Sequence, residues 1–177
     1  MKRGLLMLIN FVFLIPFLTA QRLVNPNRPS NLPGGSRLVA MAELQAGKGS
    51  AEESVPYSDR FLGINAMVGY QAGRSFMFGL GSGISFYDGG QLIPLFIDMR
   101  YTFNAQVIEP YLFADGGMML DFTNPDESRI FINPGIGARY SVTMKTDVYA
   151  GAGMFLQSGN INQDLFINLK AGIAHRF

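Results

Sequence analysis

From Arg37 to Phe177 the sequence alternates, residue by residue, between large apolar positions and polar or small ones. In the segment 91–103, every second position from Ile93 to Phe103 is apolar or aromatic. The positions between them are Pro94, Phe96, Asp98, Arg100 and Thr102. Side chains of a β-strand point alternately to opposite faces of its sheet. The alternation therefore predicts a chain of β-strands, each with one apolar face and one polar face.

Turn-forming residues divide this region into segments of 11 to 14 residues. The connections alternate between a tight set and a more polar, more variable set. Strands joined in this way by successive hairpins form an antiparallel meander. The eight predicted strands are 37–47, 60–70, 75–87, 91–103, 109–121, 129–140, 147–157 and 164–177. The tight connections are 71–74, 104–108 and 141–146, and the polar ones are 48–59, 88–90, 122–128 and 158–163.

Two closed eight-stranded barrels fit this meander. A soluble lipocalin-like barrel turns its apolar face inward, and a membrane barrel turns it outward. The polar face is rich in glycine, which suits a narrow interior, because eight strands leave just enough room for side chains. The apolar face carries no charge except Arg60. These features predict an all-β, eight-stranded, antiparallel up-and-down transmembrane barrel with its apolar face toward lipid.

Aromatic residues of the apolar face gather near the tight connections. Aromatic side chains favour the two membrane–water interfaces, so this clustering predicts an aromatic girdle at one end of the barrel. Phe86 and Phe122 lie at the opposite rim. The predicted girdle consists of Tyr70, Phe76, Tyr101, Phe103 and Tyr140, and Phe177 lies at the same height.

The N-terminus has the features of a secretory signal. Lys2 and Arg3 precede an apolar run that ends at Leu18, and small residues follow up to Ala20. The run is shorter than the ~20 residues that a spanning helix needs, although an N-terminal anchor helix is the alternative. We therefore predict a signal peptide over 1–20, an irregular leader over 21–36 and a barrel over 37–177.

Composition excludes several classes of function. Residues 21–177 contain twelve basic and thirteen acidic residues, a net charge of −1, which excludes a strongly basic nucleic-acid binder. The chain has no cysteine, which excludes a disulfide scaffold and cysteine-based zinc sites. The one histidine, His175, excludes a histidine-rich metal site. The sequence thus predicts neither a cofactor nor a metal.

Three segments carry a resemblance to a known family: ISFYDGGQLIPLFIDMRYTF, EPYLFADGG and INLKAGIAHRF. Over residues 37–177 the chain resembles small Gram-negative outer-membrane β-barrel proteins of the eight-stranded OmpA, OmpX and opacity-protein kind. The resemblance implies an outer-membrane location, tight turns in the periplasm and the loop 48–59 outside. Such barrels typically end in an aromatic residue with alternating apolar residues before it, which the barrel-assembly machinery reads. Leu169, Ala171, Ile173 and Phe177 match this pattern, and His175 departs from it.

Charges on the polar face nearly cancel. Isolated charges in a narrow lumen would be costly, so pairing is expected. Glu43 on the first strand and Lys170 on the last should meet where the barrel closes. Asp98 and Asp115 should lie at similar heights on neighbouring strands and pair with basic residues. The predicted lumen charge network is Glu43, Asp98, Arg100, Asp115, Arg139 and Lys170, with Arg100 and Arg139 as the partners of the two aspartates.

Three interpretations of this network remain open: a salt-bridged plug, a narrow pore gated by exchange of ion pairs, and a proton or ligand site. Aromatic residues on the same face favour filling of the lumen, although they could instead line a small apolar pocket. These residues are Phe61, Tyr87, Phe96, Tyr111, Phe113, Phe131, Tyr149, Phe155 and Phe166.

No catalytic motif accompanies the barrel pattern. A hydrolase triad needs a histidine beside a serine and a carboxylate, and His175 belongs to the apolar face at the periplasmic end. The sequence GLGSG lies inside a strand, and the carboxylates of DFTNPDE could bind calcium but do not have the spacing of an EF-hand loop, so a solvated loop is expected. We therefore expect a non-enzymatic envelope scaffold, or a surface protein that binds an extracellular ligand through loop 48–59. A narrow pore or small-ligand transporter is the alternative, and a lipid-modifying enzyme is the third class.

Overall fold

The computed structural model describes residues 37–49, 59–73, 75–105, 107–122, 128–159 and 163–177. The predicted signal peptide, the predicted leader and most of loop 48–59 lie outside the described residues. Eight strands account for most of the described chain. They are β1 (Arg37–Gly49), β2 (Arg60–Ala72), β3 (Phe76–Tyr87), β4 (Gly90–Thr102), β5 (Ile108–Leu120), β6 (Arg129–Ser141), β7 (Thr146–Ser158) and β8 (Gln163–Arg176).

Each strand pairs antiparallel with its neighbour in sequence, and β1 pairs with β8 to close the barrel. The predicted eight-stranded antiparallel up-and-down barrel is therefore confirmed. Every predicted strand boundary lies within two residues of the observed one. Among the described residues, no helix is long and apolar enough to cross a membrane.

The barrel has two distinct ends. The turn end carries the connections 73–75, 103–107 and 142–145, and the loop end carries the connections 50–59, 88–89, 121–128 and 159–162. At the turn end, Gly73 has a φ of 66°, a left-handed conformation that glycine adopts without steric cost. At the loop end, only Asp88 and Gly89 separate β3 from β4. This two-residue connection is thus shorter than those at the turn end, although the sequence pattern groups it with the more polar, more variable connections.

Burial alternates along every strand, and the apolar face points outward. Val68 and Leu80 on adjacent strands leave 56% and 62% of their surface exposed, whereas Asp98 is fully buried. A soluble barrel would bury the apolar face instead. The predicted orientation of the two faces is therefore confirmed, and the core of the molecule is its lumen.

One proline interrupts the hydrogen-bond ladder between β3 and β4. The regular pairing stops after Ser82↔Leu95 and resumes at Ser85↔Leu92, and Pro94 lies in the gap. Proline has no N–H to donate to a neighbouring strand. The outward-facing Ser82 hydroxyl donates a hydrogen bond of 2.9 Å to the Pro94 carbonyl oxygen. Both the hydroxyl and this carbonyl therefore have a hydrogen-bond partner, although the regular ladder is interrupted here.

Candidate functional site: the barrel lumen

Aromatic side chains point into the lumen, where glycines make room for them. Tyr111 pairs in register with Gly137 on the neighbouring strand. A Cβ atom at Gly137 would lie 2.4 Å from the Tyr111 ring, so no other residue fits there without movement. The same arrangement recurs in the pairs Phe61–Gly47, Phe96–Gly81, Phe113–Gly135 and Tyr149–Gly172. All nine aromatic residues predicted to point inward are buried: Phe61, Tyr87, Phe96, Tyr111, Phe113, Phe131, Tyr149, Phe155 and Phe166.

A cluster of aromatic rings lies in the loop-end half of the lumen. The Phe61 ring centroid lies 5.2 Å from those of Tyr87 and Phe155 and 5.3 Å from that of Phe166. Phe131 stacks on Phe155 at 4.9 Å. Offset and edge-to-face pairs of this kind each add about 0.5–1.5 kcal/mol beyond area burial. These rings therefore pack against one another as side chains do in a protein core.

The middle of the lumen holds five buried charged side chains, which we call the central cluster: Glu43, Asp98, Arg100, Asp115 and Lys170. Arg100 Nη2 lies 2.8 Å from Asp98 Oδ2 and 3.0 Å from Glu43 Oε2. Lys170 Nζ lies 3.2 Å from Glu43 Oε1 and also contacts Asp115 Oδ2. The structure thus brings Glu43 and Lys170 together where β1 meets β8, and it joins four strands through one network.

Aromatic and amide groups complete the shell around the central cluster. The guanidinium carbon of Arg100 lies 4.5 Å from the centroid of the Tyr149 ring. Lys170 Nζ lies 4.4 Å from the centroid of the Phe113 ring. Such cation–π contacts are worth about 2 kcal/mol or more when they are desolvated. Asn133 Nδ2 donates a hydrogen bond of 3.0 Å to Asp115 Oδ2. The sequence pattern predicts these aromatic residues in the lumen but does not link them to the cations.

Arg139 does not pair with Asp98 or Asp115, and that prediction is wrong. Arg139 is the register partner of Glu109, and its Nη2 lies 2.5 Å from Glu109 Oε2. The register partner of Asp115 on β6 is Asn133, six residues from Arg139, which is about 20 Å at ~3.3 Å per residue. Distance along the strand thus separates Arg139 from the central cluster.

Arg139 belongs to a second group of charges near the turn end, which we call the turn-end cluster: Glu109, Arg139, Asp147 and Arg176. Arg139 Nε lies 3.7 Å from Asp147 Oδ2, and Arg176 Nη2 contacts the same oxygen. Two carboxylates therefore balance two guanidinium groups. The Arg139 side chain keeps 18% of its surface exposed, so this cluster is less completely buried than the central one.

A third ion pair lies at the loop end. Arg129 Nη1 is 2.6 Å from Asp164 Oδ2, and Gln157 Nε2 donates to the same oxygen at 3.2 Å. Gln157 Oε1 accepts a hydrogen bond of 3.1 Å from the Tyr87 hydroxyl. This chain of contacts connects the charged rim to the aromatic cluster beneath it.

Two small cavities lie inside the lumen. One of about 30 Å³ lies between the central and turn-end clusters, next to Arg100, Tyr111 and Arg139. The other, of about 10 Å³, is lined by Gln45, Asn65 and Asp115 among others. A water molecule needs about 10–15 Å³ of cavity volume, so the larger cavity has room for about two or three waters and the smaller for about one at most. A larger groove of about 440 Å³ lies at the loop end of β6, β7 and β8.

The predicted girdle residues lie on the exterior at the turn end. Phe76 pairs in register with Tyr101, and the Phe103 ring lies 5.1 Å from the Tyr101 ring in an edge-to-face arrangement. Tyr70 and Tyr140 are also exposed. The residues of the predicted C-terminal assembly signal share this outward face: Leu169, Ala171, Ile173 and Phe177.

His175 is exposed on the same face. Its Nδ1 lies 3.1 Å from the Thr146 hydroxyl, and its ring packs edge-on against Phe177 at 5.2 Å. Within the described residues, no group of three or more histidine, cysteine, aspartate or glutamate side chains could hold a metal ion. Most of the acidic segment DFTNPDE lies outside the described residues.

No family model and no curated protein sequence matches this chain. The fold is similar to that of Neisserial surface protein A, with a TM-score of 0.58 and 17% identity over 80% of this chain and 97% of that one. The N-terminal β-barrel domain of Pseudomonas aeruginosa OprF matches with a TM-score of 0.48 and 18% identity, over 81% and 100% of the two chains. A de novo designed transmembrane β-barrel matches with a TM-score of 0.45 and 16% identity, over 83% and 98%. At 17% identity the first likeness concerns the fold alone, and the fold that the family resemblance implied is confirmed.

Proposed function

We propose that this chain is a non-enzymatic integral outer-membrane barrel that serves as an envelope scaffold or a surface interaction protein. One observation carries the proposal. The strands expose a continuous apolar exterior, while aromatic rings and paired charges fill the interior of the same barrel. A protein built in this way is stabilised by lipid outside, and its lumen is largely plugged.

The dimensions and chemistry of the exterior support insertion into a bilayer. The strands contain 12 to 14 residues, and a tilted transmembrane strand needs about 9–11. Closure also leaves no unpaired strand edge, which lipid does not tolerate. The aromatic girdle at the turn end suits the membrane–water interface.

The two ends of the sequence support an outer-membrane location. Residues 1–20 have the pattern of a secretory signal, and Phe177 with alternating apolar residues before it has the pattern that the barrel-assembly machinery reads. We propose that the chain is secreted through a cleaved signal, is assembled by this machinery and has membrane lipid as its main partner.

The packing of the lumen favours a scaffold over a pore. The central cluster links β1, β4, β5 and β8 across the interior, and aromatic rings close the loop-end half above it. These two lumen cavities have room for only about three water molecules and about one, respectively. A narrow pore or small-ligand transporter would require this packing to rearrange.

A surface role would use the loops. We propose loop 48–59, KGSAEESVPYSD, as the binding segment for an extracellular ligand, because it is the longest polar connection in the sequence and is mildly acidic. A lipid-modifying enzyme is less well supported, because the exposed His175 is hydrogen-bonded to a threonine at the turn end.

The proposal is tested by refolding the protein into lipid vesicles and recording conductance in planar bilayers. Carbonate extraction of the vesicles first establishes that the protein is inserted. We expect an inserted barrel without reproducible discrete channels. Channels whose conductance changes in Arg100→Ala would favour the pore instead, and release by carbonate would overturn membrane insertion.

A further inference from the structure

The central cluster does not balance its own charge. Among the described residues it contains three carboxylates, Glu43, Asp98 and Asp115, and two cations, Arg100 and Lys170. All five side chains leave 7% or less of their surface exposed. If all were ionised, one negative charge would remain uncompensated inside the barrel, which is costly in surroundings of low polarity. The turn-end cluster, with two charges of each sign, has no such excess.

The excess negative charge lies at two adjacent aspartates. Asp98 on β4 and Asp115 on β5 are direct register partners, which places their Cβ atoms about 4.5–5.5 Å apart. Both side chains are buried and point into the lumen, so their carboxyl groups lie side by side there. Two ionised carboxylates repel each other and only accept hydrogen bonds, so this arrangement is favourable only if one of them carries a proton.

The hydrogen bonds show which carboxyl oxygen accepts no other donor and can therefore carry that proton. Both oxygens of Asp98 accept bonds from Arg100, at 3.0 Å from Nε and 2.8 Å from Nη2. Asp115 Oδ2 accepts bonds from Asn133 and Lys170. Asp115 Oδ1 is buried and has no hydrogen-bond partner in the described structure. A proton on this oxygen would turn an unpartnered acceptor into a donor.

We propose that the central cluster is a buried proton-binding site that is occupied at neutral pH. The proton resides on Asp115 Oδ1 and is donated to the carboxylate of Asp98. With this proton the cluster is neutral, because Asp98 and Glu43 remain ionised opposite Arg100 and Lys170. Asp115 carries the proton because Asp98 is held ionised by the Arg100 guanidinium.

Groups from the surrounding strands fit this assignment. Among the described residues, the charged or titratable side chains around the two aspartates are Glu43 from β1, Arg100 from β4, Tyr111 from β5, Tyr149 from β7 and Lys170 from β8. The register neighbours of Asp98 on β3 and of Asp115 on β6 are Gly79 and Asn133, and Asn65 lies beside Glu43 on β2. None of these three can supply a compensating charge.

The site links folding to pH. At neutral pH the unfolded chain holds no proton on an ordinary aspartate, whereas the folded barrel holds one. Folding then takes up a proton, so the free energy of unfolding falls as pH rises. One proton corresponds to a rise of about tenfold in the unfolding equilibrium constant per pH unit, until the folded barrel releases the proton.

The test is infrared spectroscopy of the refolded full chain in vesicles at neutral pH. We expect the carbonyl stretching band of a protonated carboxylic acid in the wild type and its loss in Asp115→Asn, whose amide resembles the protonated acid. The matched control is Glu109→Gln in the balanced turn-end cluster, which should keep the band. Asp98→Asn is a second variant that should also lose the band, because Asp115 can then ionise beside Lys170.

Absence of the acid band from the folded wild type would overturn the proposal, and so would its persistence in both aspartate variants. A monovalent cation could balance the same charge. In that case the band would be absent, and stability would depend on sodium relative to choline at constant ionic strength. The second readout is the pH dependence of unfolding. It should approach tenfold per pH unit in the wild type and flatten in Asp115→Asn.

Discussion

The exterior and the lumen of this barrel are made by alternate residues of the same strands, yet they differ in how specific their side-chain contacts are. Ile97 leaves 44% of its surface exposed, and its neighbour Asp98 is fully buried. On the exterior, neighbouring residues need only be apolar, so their identity matters little. In the lumen each side chain has particular partners, such as Arg100 with Glu43 and Asp98. A substitution that removes a partner in the lumen should therefore lower the free energy of unfolding more than one that only changes the shape of an apolar side chain on the exterior.

The largest effect is expected for Lys170→Ala. This change removes the cation that contacts both Glu43 and Asp115, and it leaves the buried Glu43 carboxylate without that partner. Removing one partner of a buried ion pair typically costs about 3–5 kcal/mol. We expect a loss of that size in the free energy of unfolding, measured by urea titration of the protein in lipid vesicles.

A double-mutant cycle tests whether Glu43 and Lys170 act as a pair. If they do, Glu43→Ala should cost less in the Lys170→Ala background than in the wild type, because its partner is already gone. Purely additive losses in the free energy of unfolding would show that this contact carries no coupling.

The next-largest effect is expected for Leu44→Arg, which places a charge on the exterior. Leu44 lies near the middle of β1 and is 57% exposed. An arginine facing lipid at the bilayer midplane costs about 2–4 kcal/mol, and near the interface about 0–1 kcal/mol. The matched control is Leu38→Arg, on the same face at the turn end of the strand. Equal losses for the two variants in vesicle unfolding would contradict a lipid-facing exterior.

A smaller effect is expected for Gly117→Ala. A Cβ atom there would lie 2.1 Å from the Leu95 carbonyl oxygen, which cannot move without disturbing the β4 backbone. Overpacking of this kind costs about 1–3 kcal/mol. At the adjacent Gly116 the nearest atom would be 3.7 Å away, so Gly116→Ala serves as the control. A comparison of their urea midpoints should show destabilisation only in Gly117→Ala.

The smallest effect is expected for Arg60→Ala. The Arg60 side chain is 79% exposed, and its Nε lies 3.9 Å from Asp59 Oδ2. Exposed substitutions of this kind change stability by less than about 0.5 kcal/mol. The unfolding midpoint should therefore stay close to that of the wild type, and a loss approaching that of Lys170→Ala would contradict the contrast between exterior and lumen.

Local patterns were sufficient to predict the strands, their two faces and the nine inward aromatic residues. They also predicted the contact between Glu43 and Lys170, because the first and last strands must meet when a barrel closes. Register was harder to predict, since a strand can slide along its neighbour without changing its alternation. The error over Arg139 has this origin, because the sequence alone did not show that Arg139 lies opposite Glu109 rather than near Asp115.

The aromatic–glycine pairs also could not be predicted from the sequence. The glycines of the polar face were expected to suit a narrow interior, but the pairing of Gly137 with Tyr111 depends on register. The cation–π contacts of Arg100 and Lys170 depend on side-chain direction across the lumen as well. These contacts join strands that are distant in sequence, which local alternation does not specify.

The measurement that tests this account most directly is fluorescence quenching of two single-tryptophan variants in vesicles. The chain has no tryptophan of its own, so each variant reports a single position. Val68→Trp places the probe on the exterior, and Phe96→Trp places it in the lumen. Brominated lipid should quench the first strongly, and neither brominated lipid nor aqueous iodide should quench the second. Quenching of the lumen probe by iodide, or protection of the exterior probe from lipid, would contradict an apolar exterior around a closed interior.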